Sequence, residues 1–318
     1  MLRRSTLEMA GGNCTQVSEF MLTGFSDSPE IQAPLFVVFL LIYVTALVGN
    51  LGMILIVRLD SQLRTPMYFF LSNLSFIDLC YSTVVAPKML ADLLAERKAI
   101  SYTACAIQIC VFSQFDVMEC FLLAAMAYDR YVAICHPLLY RVVMCPRLCV
   151  QLVAGSFLVG CVNVIAQTTG MLTLTFCGSN VIDLFFCDIS PLLSLASSDS
   201  RVNHILLLVL ASLTGVFTGL VISVVLHRNM CIFVYILEQP GRKPGFTSCV
   251  SWLIVTECFL LTGLFIYLQP STKYSRDQDK VVSVFYTVVT PMLNPLIYSL
   301  RNKEVKAALR RAIERKTF

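Results

Sequence analysis

The sequence predicts an all-α membrane protein: a seven-transmembrane helix bundle with a short amphipathic helix after the seventh span. Three observations predict it. Charged residues make up 14% of the 318-residue chain and hydrophobic ones 57%, whereas a soluble domain carries about 25% charge. Too little polar surface is left to coat a water-soluble globule, and a mean hydropathy of +0.75 points the same way. Seven stretches reach the roughly 20 apolar residues that a helix needs to cross a bilayer core. Lys and Arg crowd the segments on one side of those stretches.

Residues 1–33 come first and are expected outside the cell. MLRRSTLEMAGGNCT has two Arg but no apolar core after them, so it is not read as a signal peptide. The spans follow at 34–57, 66–90, 104–134, 148–169, 202–236, 246–268 and 281–300. After them, residues 301–318 form a basic tail. Val305, Ala308, Leu309 and Ala312 fall on one face there, with Lys306, Arg310 and Arg311 off it. That spacing suits a helix lying on the membrane surface, against the plainer reading of a frayed basic tail.

An odd number of spans places the termini on opposite sides. Residues 58–65, 129–147, 237–245 and the tail hold 14 Lys/Arg and 5 Asp/Glu, while the other side holds 8 and 11. Short basic loops stay in the cytoplasm, so the tail is inside and the N-terminus outside. Asn13, in the sequon Asn13-Cys14-Thr15, is then a candidate glycosylation site. No internal repeat is visible, which argues against a transporter.

Charges at membrane depth are costly and commonly functional. Here they are Asp78, Lys88, Asp116, Glu119, Arg228 and Glu257. At about 1.5 Å per residue, Asp78 and Glu119 sit roughly 16–18 Å from the cytoplasmic ends of their helices. Either they share a proton or a cation, since close like charges cannot both ionise freely, or each is satisfied separately by hydroxyls and amides. Asp116 stands one turn further out, and Phe112, Asp116 and Cys120 form one stripe. Such a stripe suits either a small-molecule pocket or a packed core.

The strings MAYDRYVAICHPL at 126–138, Gly49-Asn50, PMYFFLSNLSFIDLCYSTVVAPKML at 66–90 and PMLNPLIYSLRNKEVKAALRR at 291–311 occur in this order. With them the chain resembles the olfactory receptors, rhodopsin-like (class A) G-protein-coupled receptors, from about Val17 to Arg311. The resemblance implies a small volatile odorant bound between the outer halves of the third, fifth, sixth and seventh helices. It also implies a heterotrimeric G protein of the stimulatory olfactory type that raises cyclic AMP. By motif, Arg130 is the switch arginine beside Tyr131, Asp129 is its resting partner, and Asn294, Pro295 and Tyr298 form the kink-and-tyrosine element. Asp78 and Glu119 match the family's buried acids. By offset from those motifs, the pocket positions are Phe112, Ser113, Asp116, Val117, Cys120, Gly263, Leu264, Tyr267, Ser283 and Thr287. Asp116 adds the hypothesis of an amine or a strong hydrogen-bond donor as ligand. Pro295 removes a backbone donor in mid-helix, so a bend is expected there on physical grounds too.

The family pattern pairs Cys105 with Cys187. A further loop cysteine usually partners the one at Cys177, but that place is Ser197 here, so Cys177 is either free or bonded to Cys14. Other departures cluster in the fifth and sixth helices. The low Ser-Tyr becomes Val225-Leu226, and in the active form that Tyr helps to hold the switch arginine. Pro244-Gly245 replaces good helix formers, Ser251-Trp252-Leu253 replaces Ser-His-Leu, and Leu260-Leu261 replaces Tyr-Gly. Weaker G-protein coupling than in a typical member is therefore expected. The alternatives are the same fold sensing a non-odorant metabolite, a poorly coupling relic, and, from another class, a transporter or channel. No nucleophile–base set, phosphate loop or metal spacing points to an enzyme, a cofactor or a metal, and no long basic run suggests nucleic acid.

Overall fold

A computed structural model describes residues 17–25, 28–237, 280, 283–301 and 303–314. The expected sixth span, with Gly263, Leu264 and Tyr267, lies outside the described residues, as does Asn13. The elements run α1 (Pro29–Leu59), α2 (Pro66–Leu94), α3 (Tyr102–Cys135), α4 (Tyr140–Val143), α5 (Pro146–Leu172), α6 (Ile189–Leu195), α7 (Arg201–Leu237), α8 (Thr290–Arg301) and α9 (Lys303–Glu314). Among the described residues, five helices are long and apolar enough to cross a membrane, and these are α1, α2, α3, α5 and α7.

The helices outrun the apolar cores read from the sequence because their ends use polar and proline signals. Proline opens α1, α2 and α5, where a missing N–H costs nothing and the fixed φ suits the first turn. The Ser101 side chain caps α3 by accepting from the Ala104 N–H at 3.2 Å. The bundle sets a minority of buried polar side chains in a largely apolar core, and its outer surface is apolar too. Asn50, Ser75, Asp78 and Glu119 are buried, whereas Leu41, Val48, Val162, Ile165, Leu213 and Leu220 are exposed along the helix flanks. A surface of that kind faces lipid rather than water.

α3 runs through the middle of the bundle and packs on α2, α5 and α7, while α1 packs on α2 and α8. The α1–α8 contact has a local cause. Pro295 has no N–H to give to the Pro291 carbonyl one turn back. The Asn50 side chain donates to that carbonyl instead, at 2.8 Å. Gly49 makes room for the proline, since a Cβ there would lie 3.0 Å from Pro295 Cγ. The irregularity of this helix is a π-helical turn at Phe285–Val289, just ahead of Pro295. α9 folds back beneath α1 and α2. Arg311 donates twice to Asp60, at 3.0 and 2.6 Å, and the Tyr68 hydroxyl donates to Glu304 at 2.6 Å. Val305 and Ala308 are buried beneath α9 as the amphipathic reading requires, and Leu309 faces outward.

One element is absent from the all-α expectation. A small sheet of order β2-β1-β3 caps the outer end, built from β1 (Glu19–Leu22), β2 (Ala99–Ser101) and β3 (Val181–Ile182). β1 pairs antiparallel with β2 and parallel with β3. Phe20, wholly buried, packs edge-on against Phe176 at 5.5 Å, and Phe25 stacks between Phe39 and Phe185.

Candidate functional site

The outer half of α3 carries the stripe. Phe112 is buried against Tyr81 of α2 at 4.6 Å between ring centres, against Phe186 of the outer loop at 5.3 Å, and against Tyr286 at 6.2 Å. At the next residue, the Ser113 hydroxyl donates to Gln167 Oε1 at 3.2 Å, and Gln167 donates to Asn163 at 2.7 Å. A narrow crevice beside Ser113, between α3 and α5, is lined also by Cys110, Gln167, Thr168 and Ile189. Val117 is buried, and Asp116 and Cys120 are half-buried. From the seventh span, Ser283 and Thr287 are buried. Their hydroxyls bond within the helix, with Thr287 donating to the Ser283 carbonyl at 2.6 Å and Tyr286 to the Ser283 oxygen at 3.3 Å.

The loop that follows α5 closes the top of this stripe. Cys187 is bonded to Cys105, with 5.5 Å between their Cα atoms, as the family pattern implies. Gln108 secures the same point, because its Oε1 accepts the Cys187 N–H at 2.8 Å while its Nε2 donates to the Val84 carbonyl at 2.9 Å. Asp188, next in the chain, lies within electrostatic reach of Asp116. Burial pushes its carboxyl up to about 6, against the pull of the Ile189 and Ser190 N–H groups. Further out, Asp183 receives the Thr23 hydroxyl at 2.8 Å and the Lys280 ammonium at 2.7 Å, joining the N-terminal strand, the loop and the seventh span.

Below the stripe, the two buried acids meet. Asn294 Nδ2 donates to both oxygens of Asp78, at 3.2 and 3.1 Å, and Glu119 draws on the same amide. Asp116 in turn acts on Glu119. Asp188, Asp116, Glu119 and Asp78 thus form a chain of carboxylates from the outer loop to the seventh helix.

At the inner end Asp129 lies within electrostatic reach of Arg130, and each also has a second partner. Asp129 accepts the Tyr140 hydroxyl at 2.8 Å, and the Arg130 guanidinium lies against Met67 Sδ of α2. Tyr140 comes from α4, a single helical turn within the basic segment 129–147. Burial and the neighbouring carboxylate raise its phenol above the usual range. Tyr131 packs edge-on against His136 at 5.8 Å. The side chains of Leu226 and Tyr298 lie outside the described residues.

Gln108, Gln167, Asp188 and Tyr140 carry much of this geometry and were not singled out in the sequence. A buried glutamine or an acid next to a loop cysteine is the only signal they offer. Among the described residues no cluster of His, Cys, Asp and Glu could hold a metal ion.

A family model described as olfactory receptor matches residues 39–316. Olfactory receptor 5G25 of Mus musculus is 51% identical over 304 residues, 96% of each chain. Olfactory receptor 5AP2 of Homo sapiens is 51% identical over 309 residues, 96% of this chain and 97% of its own. Olfactory receptor 8U8 of Homo sapiens is 48% identical over 305 residues, 96% of each. Identity of this extent spans every described helix from α1 to α9, so the chain belongs to the olfactory receptor family, as a multi-pass G-protein-coupled receptor and not an enzyme.

Proposed function

We propose that this receptor binds a small volatile odorant between the outer halves of the third, fifth, sixth and seventh helices and activates a stimulatory, olfactory-type G protein that raises cyclic AMP. The observation that carries this reading is the α3 stripe. Aromatic rings wall its outer end at Phe112, and one face of the same helix holds Asp116 and Glu119 above Arg130. A ligand seated on that face bears directly on the helix that ends in the switch arginine. The pocket is read as Phe112, Ser113, Asp116, Val117, Cys120, Ser283 and Thr287, with Gly263, Leu264 and Tyr267 from the sixth helix. Asp78 and Glu119, bridged by Asn294, are read as sharing one proton or one cation, because two unshielded carboxylates at that spacing repel. Residues 1–33 are placed outside, 34–300 across the membrane and 301–318 inside, as the distribution of basic residues favours.

Asp116 directs the ligand class toward amines and strong hydrogen-bond donors. In an Asp116→Ala receptor at matched surface expression, responses to volatile amines are expected to vanish while those to neutral odorants persist. Equal loss of both removes the amine assignment. Leu226 bears on the strength of coupling, since it lacks the hydroxyl that would hold Arg130 in the active form. Leu226→Tyr is expected to raise cyclic AMP output several-fold at equal surface expression, and unchanged output refutes that role.

A further inference from the structure

Seven of the cysteines in the described residues are in no disulfide, and Cys105 is bonded to Cys187. Cys177 is also in a disulfide. Its partner is not Ser197, which occupies the place beside it. The Ser197 hydroxyl accepts the Cys177 N–H at 2.9 Å and donates to the Cys177 carbonyl at 2.6 Å. Serine there holds the Cys177 backbone in position by hydrogen bonds but offers no sulfur.

The chain has 14 cysteines, and those outside the set just described are Cys14, Cys231, Cys249 and Cys258. Cys231 falls 30 residues after the outer start of α7 at Arg201, about 45 Å along the helix. Cys249 and Cys258 belong to the inner end and the middle of the sixth apolar stretch. Cys177 stands beyond the outer end of α5, five residues after Leu172. A disulfide needs Cα atoms about 4.4–6.8 Å apart, so these three are on the wrong side or at the wrong depth.

Cys14 is near in the chain to a residue already in contact. The Val17 N–H donates to the carbonyl of Phe176, the residue before Cys177, at 3.4 Å. The Met21 and Thr23 N–H groups continue the pairing, to Asn180 and Ile182. Val17 is three residue steps from Cys14, at most about 10 Å of chain, ample to bring its thiol to Cys177.

We propose that Cys14 is the residue bonded to Cys177, a disulfide that staples the N-terminal strand to the outer loop in place of the bridge within that loop that Ser197 precludes. The two thiols give up two protons and two electrons. A protein disulfide of the secretory pathway takes them by thiol–disulfide exchange and leaves as two thiols. With Cys105–Cys187, the staple would make the three-stranded sheet a covalently closed cover over the outer end of the α3 stripe. The inference rests on the outer placement of the N-terminus proposed above.

The test is peptide mapping of the full-length receptor, isolated from membranes under thiol-blocking, non-reducing conditions and freed of N-glycan. A linked pair of peptides carrying Cys14 and Cys177 is expected. Cys177 as a blocked thiol, or linked elsewhere, overturns the proposal. On intact cells, a membrane-impermeant maleimide is expected to leave residue 177 unlabelled in the wild type and to label it in Cys14→Ser. It is expected to leave it unlabelled again in Cys14→Ser/Ser197→Cys, where the loop bridge is possible. An unlabelled Cys177 in Cys14→Ser, with the linked pair also missing from the wild type, overturns the assignment. Labelling that needs permeabilised cells instead overturns the topology and leaves the linkage to the peptide map.

Discussion

Asn50 shows how one side chain can settle a helix contact. A proline inside α8 strands the Pro291 carbonyl in the middle of the bundle, and Asn50 is the donor that reaches it. Asn50→Leu leaves that carbonyl unpaired, which costs about 1–3 kcal/mol, so thermal unfolding in detergent should move several degrees lower. An unchanged midpoint would mean the contact contributes nothing. Asp188 sets a pH dependence. Its carboxyl is raised in the folded state, so the stability it contributes is fully present below about pH 4, the ordinary carboxylate range, and declines as pH rises through about 6. Asp116 is the carboxylate that faces it. The unfolding midpoint should therefore fall between pH 4 and pH 6 and level off above, and Asp188→Asn should flatten that fall. The same slope in both proteins would assign it to other groups.

Among the elements, the outer sheet bears most on access to the stripe, and it is the element the sequence concealed. EFML, AIS and VI are too short to show an alternation, and the partners of β1 lie far along the chain, near residues 100 and 181. The long helices were legible because each needs about 20 apolar residues, a signal that no short strand can imitate. Their ends were displaced by a few residues because caps and first-turn prolines lie outside the apolar core. Within the site, Asp78, Glu119 and Asn294 were legible as charge or motif, whereas Gln108 and Gln167 were not, since only the fold supplies the groups that satisfy them. Phe20 is the sheet's anchor. Phe20→Ala should remove about 3–5 kcal/mol and raise amide exchange across residues 19–22 and 99–101 ahead of the spanning helices. Uniform exchange throughout would show that the sheet does not open on its own.

For the whole molecule, the apolar exterior and the polar side chains held inside the core fit a bundle that spans a membrane. Carboxylates run down one side of it, aromatic rings close the outer end, and Arg130 lies at the inner end against α2. The departures in the fifth and sixth helices fall on the parts that would carry motion to a G protein, and they leave the spanning segments apolar. The receptor proposed above therefore couples, with reduced output, to a cyclic-AMP-raising G protein. Its most direct test is cyclic AMP measured in cells, at quantified surface expression, against a broad volatile panel that includes amines. A dose-dependent rise is expected for at least one volatile, smaller than for a related receptor with tyrosine at the position of Leu226. Silence across the panel from a receptor present at the surface, in both the wild type and Leu226→Tyr, would contradict it.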